Sequence, residues 1–248
     1  MCLDCGWEEG NEHRFGADDT PHRHADGTVH THRHADGTVH AHSHGGRGHT
    51  HSSAGEGATR TVKLEQSVLQ KNDERAAANR AWLTERGIVA VNLISSPGSG
   101  KTALVETTLE RLNGRVPCAV IAGDQQTDND ARRLEGKGAP VVQIETHSSC
   151  HLDAERVGNE LPGLLTDDTK LLLIENVGNL VCPAAFDLGE YFKVALLSTT
   201  EGEDKPLKYP VLFSDARAVG LTKIDLVPHL DWDRSACRRA IQRIQPGV

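Results

Sequence analysis

The sequence predicts an α/β fold, a mostly parallel sheet with helices on both faces, preceded by a disordered, histidine-rich tail. Two observations carry that reading. From Ile88 onward, apolar runs recur at 88–94, 118–122, 140–144, 170–174, 193–198 and 218–222, and most gaps hold helix-like segments such as 102–112 and 152–165. Runs that are nearly continuous in hydrophobicity and separated by helices mark parallel strands buried on both faces. Before residue 60 the composition is different in kind. Residues 1–60 hold 11 of the 14 histidines, with many Gly, Asp and Thr and almost no large aliphatic side chains, too little apolar surface to offset the entropy of ordering. The chain therefore divides into a tail at 1–60, a connecting helix at 61–87 and a folded domain at 88–248.

The tail reads as an array of metal ligands. The string H-R-H-A-D-G-T-V-H occupies 22–30 and recurs at 32–40, and the histidines fall mostly in H-x-H pairs: His22, His24, His30, His32, His34, His40, His42, His44, His49 and His51. Neutral imidazoles suit nickel, zinc and copper. With no fold to impose geometry, such a tract has high capacity and poor selectivity, which fits storage or buffering better than mere solubilisation. Cys2 and Cys5, spaced C-x-x-C, are a second candidate nickel site, incomplete with two ligands. Residues 62–86 are rich in helix formers, and Gly87 supplies a C-terminal stop.

Charge and cysteine usage exclude several classes. A formal charge of −8 with no basic block argues against a nucleic-acid binder. The acidic N-terminus lacks the pattern of a signal peptide, and no apolar run approaches membrane-spanning length, so a cytoplasmic location is expected. Six cysteines in a reducing compartment read as thiols or metal ligands. Of these, Cys118 looks like strand core and Cys237 like part of the last helix.

Ligands of parallel sheets bind beyond the carboxyl ends of the strands, so chemistry is sought just after each apolar run. After the first comes S-S-P-G-S-G-K-T (95–102), then a helical segment. This is a phosphate loop. Gly98, Ser99 and Gly100 bring backbone amides to phosphate oxygens, Lys101 meets the β and γ phosphates, and the Thr102 hydroxyl binds Mg²⁺. Ser95 departs from the strict pattern, which has Gly there. Asp124 ends the second run and Glu175, with Gly178, the fourth; a carboxylate there holds Mg²⁺ or orients the attacking water. T-K-I-D (222–225) ends the sixth. Asp225 is placed to accept hydrogen bonds from guanine N1 and its 2-amino group while the Lys223 stem packs on the base, selecting GTP over ATP. Thr222 stands where that motif usually has Asn.

A third metal site is expected from Cys150 and His151, adjacent at the start of a predicted helix whose positive end favours a thiolate, and Cys182, four residues after Gly178. Spacing alone leaves equally open two unrelated core cysteines and an incidental histidine.

Together S-S-P-G-S-G-K-T, G-D-Q-Q-T-D-N-D-A (123–131), C-H-L-D-A (150–154), E-N-V-G-N-L-V-C-P (175–183) and T-E-G-E-D-K-P-L-K-Y-P (200–210) resemble the hydrogenase nickel-incorporation GTPases, the HypB family. The resemblance spans essentially all of 88–246. It implies a SIMIBI-type P-loop NTPase fold, GTP hydrolysis to GDP, and a homodimer promoted by GTP and metal with a nickel or zinc site at its interface on Cys150, His151 and Cys182. It further implies two partners, the nickel and zinc metallochaperone HypA and the precursor of the [NiFe]-hydrogenase large subunit. Some members carry an N-terminal C-x-x-C-G-C nickel motif; here Trp7 replaces its last cysteine. The nearest rival is the urease accessory GTPase, UreG, whose metal motif is Cys-Pro-His where this chain reads Cys182-Pro183-Ala184. A rival of another class is a nickel or zinc store with a vestigial nucleotide site.

Overall fold

Why the folded domain begins where it does is visible at the end of α1 (Ala54–Glu85). Gly87 adopts φ +66, the left-handed turn that glycine enters without steric cost. That turn lets Ile88 N–H reach Leu83 C=O at 3.0 Å and Gly87 N–H reach Thr84 C=O at 3.0 Å, a Schellman cap closed by burial of Leu83 and Ile88 in one core cluster. The computed structural model describes residues 67–124, 130–146 and 149–247 with their side chains, and the backbone alone at 22–23, 29–30, 54–66 and 129. The helix starts at Ala54, inside the segment assigned to the tail. Within that segment His22–Arg23 also pairs antiparallel with Val29–His30, which was not expected; Asp26-Gly27, a dipeptide suited to hairpin turns, stands between them.

Every expected run is a strand: β1 (Val89–Ser95), β2 (Cys118–Asp124), β3 (Val141–Glu145), β4 (Leu171–Glu175), β5 (Phe192–Ser198) and β6 (Ala216–Thr222). They form one parallel sheet in the order β3-β2-β4-β1-β5-β6. The interleaved helices are α2 (Lys101–Leu112), α3 (Asn129–Leu134), α4 (Ala154–Leu164), α5 (Cys182–Ala185), α6 (Lys205–Lys208), α7 (Pro210–Asp215) and α8 (Arg234–Ile244).

Alternation along the strands builds the two faces. Ala90, Ala119, Ile121, Leu172 and Ile174 pack with Leu83 of α1 and Val157 and Leu161 of α4. Their neighbours Val91, Leu93, Val120 and Leu173 pack with Val105 and Leu109 of α2 and Leu134 of α3. A third cluster joins Ile94, Ala195 and Leu197 to α7 and α8. Because all six strands run parallel, the segments that follow them leave from one edge, with that after β1 at its centre between β4 and β5. That edge is the candidate site.

Candidate functional site

The phosphate loop has the backbone its sequence requires: Gly98 at φ +68 and Gly100 at φ +94, both left-handed, leading directly into α2. Lys101 and Thr102 open that helix and are buried. Ser95, where the strict motif has Gly, accepts a hydrogen bond on its Oγ from Lys101 Nζ at 3.0 Å. Burial holds the Lys101 ammonium below the usual lysine range, while Glu175, Asp130, Glu201 and Asp124 pull it back up. An amine so placed gains most from a phosphate, which restores the anionic partner that water would have supplied.

Thr102 Oγ1 donates to Glu175 Oε1 at 2.6 Å. Glu175 Oε2 is buried without a hydrogen-bond partner, and burial pushes the carboxyl above its usual value. A hydroxyl and a carboxylate in contact, one oxygen unsatisfied, are the donor set that a small hard cation such as Mg²⁺ takes. The residues therefore fit that ion. Asp124 ends β2 next to β4, in the register Ala122↔Glu175, and its carbonyl accepts from Thr146 N–H at 2.9 Å.

At the end of β6, Lys223 adopts φ 54, left-handed for a residue with a Cβ. Thr199 Oγ1 holds it by donating to Lys223 C=O at 2.8 Å. Thr222 Oγ1 donates to Ser99 C=O at 2.7 Å, so a threonine at the usual Asn position still ties this loop to the phosphate loop. Asp225 follows in a 3₁₀ turn, Ile224–His229. Sequence reasoning missed Glu201. It closes a capping box with Ser198 after β5, accepts from Ser99 Oγ at 2.8 Å and also from Ser96 Oγ, and so braces the phosphate loop from the β5 side.

The candidate metal ligands converge as well. One ligand atom each from Cys150, His151 and Cys182 lies within 4.8 Å of the others, and Cys150 Sγ is 3.7 Å from His151 Nδ1. With metal bonds of 2.0–2.3 Å and tetrahedral angles, ligands on a common ion stand roughly 3.5–4 Å apart. One pair is already at that spacing, and Cys182 needs an approach of no more than about 1 Å. His151 stacks on Phe186, ring centroids 3.8 Å apart, and burial holds its pKa below the ordinary imidazole value, favouring the neutral ligand form. One expectation is corrected. The helix expected over 152–165 begins at Ala154, so Cys150 and His151 precede it, and Asp153 caps it by accepting from Arg156 N–H at 2.8 Å. The helix end is therefore occupied by a carboxylate and does not favour a thiolate on Cys150. Cys118 is strand core and Cys237 lies in the last helix, as expected; both are buried, and burial pushes the Cys237 thiol up to about 11.

A cavity of about 400 Å³ opens between Ser96–Pro97 of the phosphate loop and Gly178–Val181, the segment that leads to Cys182. Gly178 is required there. A Cβ at that position would sit 2.9 Å from Pro97 Cα. The connecting helix completes the surroundings: Asn72 accepts from Ala154 N–H at 2.9 Å and donates to Asp187 C=O, and Asn79 donates to Ala154 C=O and Leu188 C=O. Both asparagines thus span the two segments that carry the cysteines. Cys2, Cys5 and the tail histidines lie outside the described residues, apart from the backbone of His22 and His30.

A phosphate loop on a parallel sheet, braced from β5 and β6, defines a P-loop nucleotide-binding protein, here with a Cys/His cluster at the end of the segment Gly178–Val181. Residues 89–248 match the family described as CobW/HypB/UreG, nucleotide-binding domain. The chain is 44% identical to the hydrogenase maturation factor HypB of Escherichia coli (strain K12), over all of this chain and 91% of that one. It is 53% identical to that of Azotobacter vinelandii, over 83% of this chain and 68% of that one. Among solved structures, HypB from Helicobacter pylori in complex with nickel superposes with a TM-score of 0.67 at 39% identity, covering 72% of this chain and 84% of that chain. HypB from Archaeoglobus fulgidus gives 0.68 at 38% identity, covering 73% and 88%. The chain belongs to the HypB family of hydrogenase maturation factors, within the CobW/HypB/UreG nucleotide-binding domains. Among the described residues no helix is long and apolar enough to cross a membrane.

Proposed function

We propose that this protein is a GTP-hydrolysing nickel chaperone that loads nickel into the precursor of the [NiFe]-hydrogenase large subunit, with its histidine-rich tail as a store. The observation that carries the reading is the cluster of Cys150, His151 and Cys182 within 4.8 Å, reached through the same segment, Glu175–Cys182, that leaves the phosphate site. Nickel is cargo here. A three-ligand cluster of partial burial is suited to a metal that must leave again, and a second subunit, a HypA-type partner or water would supply the remaining ligand. Zinc would fit the same ligands.

In hydrolysis, the amides of Gly98–Gly100 and the Lys101 ammonium take up phosphate charge, and Thr102 with Glu175 would hold Mg²⁺. When bound, that ion supplies neutralisation of the β and γ oxygens. Asp124 or Glu175 orients the attacking water. Asp225 reads guanine. The urease-type reading draws nothing from the site, because Ala184 stands where a Cys-Pro-His motif would have its histidine.

Two measurements test this. Asp225→Asn should weaken GTP binding and favour xanthosine triphosphate, whose carbonyl meets the new amide donor; unchanged GTP binding would remove T-K-I-D as the base-reading loop. Nickel transfer to hydrogenase large-subunit precursor should need GTP and fail in Cys182→Ala; transfer that proceeds equally without nucleotide favours a simple store.

A further inference from the structure

Cys182 belongs to the chain segment that runs on from the phosphate site, but Cys150 and His151 arrive from a different loop, and something must tell that loop which nucleotide is bound. Asn176 is the residue after Glu175 and is 1% exposed. Its side-chain Oδ1 accepts from Leu152 N–H at 3.3 Å and from Val177 N–H at 3.0 Å. Leu152 directly follows His151 and is fully buried. On its other side Asn176 Nδ2 donates to Asn92 Oδ1 at 3.2 Å, and Asn92 Nδ2 donates to Glu190 Oε1 at 3.1 Å. Lys193 continues the chain, 3.9 Å from Glu190 Oε1, and donates to Ala184 C=O at 3.0 Å, in the short helix that begins with Cys182.

These polar groups lie in a region otherwise filled by aliphatic side chains, where an unpaired amide is costly and pairing is therefore obligatory. Two donors on Asn176 Oδ1 and one acceptor on Nδ2 fix the orientation of the amide and leave no freedom to rotate. The backbone is fixed too: Asn176 N–H donates to Leu93 C=O at 3.1 Å. A shift of Glu175 on gaining or losing a cation and phosphate must then pull on Leu152, or break a buried hydrogen bond.

We propose that Asn176 is a positioning residue that transmits the nucleotide state from Glu175 to the Cys150–His151 half of the metal cluster through the Leu152 amide. Cys182 moves by chain connectivity, and Cys150 with His151 move by this hydrogen bond, so both halves answer to one switch. The inference rests on the nickel reading of the cluster.

The test uses the full chain carrying Cys2→Ala and Cys5→Ala, so that thiolate-to-nickel absorption reports Cys150 and Cys182; Cys118 and Cys237 are buried in the core. Nickel alone is titrated into the GDP-loaded protein and the protein loaded with a non-hydrolysable GTP analogue. The parent affinities should differ by about fivefold or more. Asn176→Ala should bring the ratio to within about twofold, whereas Asn176→Asp, which keeps an acceptor for the Leu152 amide, should retain most of it. A ratio unchanged in Asn176→Ala overturns the proposal. If that variant does not fold, hydrogen exchange at the Leu152 amide decides in the parent protein: protection differing between nucleotide states supports transmission, and equal protection overturns it. A parent with thiolate absorption but equal affinities overturns the coupling alone; a parent with no such absorption in either state overturns the metal-site reading and this inference with it.

Discussion

The phosphate site and the metal cluster share one sheet edge but are built by opposite means. In the first, Ser95 to Thr102 form a single unbroken strand-to-helix connection, and distant residues such as Glu201 and Thr222 only brace it. In the second, no segment supplies a full ligand set: Cys150 and His151 precede α4, Cys182 opens α5, and Asn72, Asn79 and Asn176 hold those segments in place. A locally encoded site tolerates loss of its distant supports, whereas a site assembled from afar depends on them. Nucleotide binding should thus be robust and metal geometry conditional.

The largest expected effect separates the two sites directly. Lys101→Ala removes the buried ammonium facing the phosphates, and GTP hydrolysis should fall about 10²–10³-fold, the scale seen when a charge-stabilising group is lost. Nickel bound through thiolates, read by its absorption in nucleotide-free protein, should stay near the parent level. Parallel loss of both would mean the sites are one structural unit.

Glu175→Gln sharpens the comparison from the nucleotide side. Turnover should drop because the cation loses a ligand. The nucleotide-free protein, however, should melt a few degrees higher at pH 8. Burial raises the folded carboxyl's pKa above its unfolded value, so ionising Glu175 costs folded-state stability at pH values above the unfolded pKa. That cost is relieved as pH falls through the folded pKa. The amide never bears it, and the advantage of Gln should therefore shrink toward acid pH. An advantage that grows on acidification would contradict a desolvated carboxylate.

How far the sequence could be read follows the same divide. The glycines, Lys101 and Thr102 were legible because a phosphate loop needs fixed residue types at fixed spacing, and the strand runs because burial on both faces demands continuous aliphatics. Asn92 was a signal passed over, a lone amide inside V-A-V-N-L-I. Its partners Asn176 and Glu190 are 84 and 98 residues away, beyond any spacing rule. Asn72 and Asn79 drew no reading of their own within the connecting helix, since nothing in 62–86 says that Gly158 and Gly189 leave room for that face. A Cβ on Gly158 would lie 2.4 Å from Asn79 Oδ1, and one on Gly189 2.5 Å from Asn79 Cβ. Cys150 and His151 were placed at the start of the helix expected over 152–165, but Asp153 offers the side-chain oxygen that caps it and the helix begins at Ala154.

Asn79→Ala tests dependence on distant support. It strips a buried donor from Ala154 C=O and Leu188 C=O at once, which should cost about 1–3 kcal/mol and lower the melting temperature by roughly 2–10 °C. Below that transition, thiolate–nickel absorption should weaken more than GTP binding does. Equal weakening would show that α1 serves the whole domain and not the metal side in particular.

The smallest effect is a proton count. Burial beneath Phe186 lowers the pKa of His151, with Asp153 pulling it up and Arg156 pushing it down. An ordinary imidazole is about half protonated near pH 6.5, so a nickel ion arriving at pH 6 must displace a proton from it. Burial keeps His151 neutral further into acid, so it gives up less than an ordinary imidazole does. His151→Ala should therefore weaken thiolate-bound nickel at pH 6 while lowering the number of protons released per nickel by less than the loss of an ordinary imidazole would. The thiols contribute alike to both proteins and cancel in the comparison. Calorimetry in buffers of different ionisation enthalpy reads the number, in the Cys2→Ala, Cys5→Ala background and at nickel levels tracked by thiolate absorption. Tail histidines provide the contrast, because their loading should fade below about pH 6 as protons compete for the imidazoles. If the variant releases close to one proton fewer than the parent, His151 was protonated before nickel came, and its burial does not prepare it as a ligand.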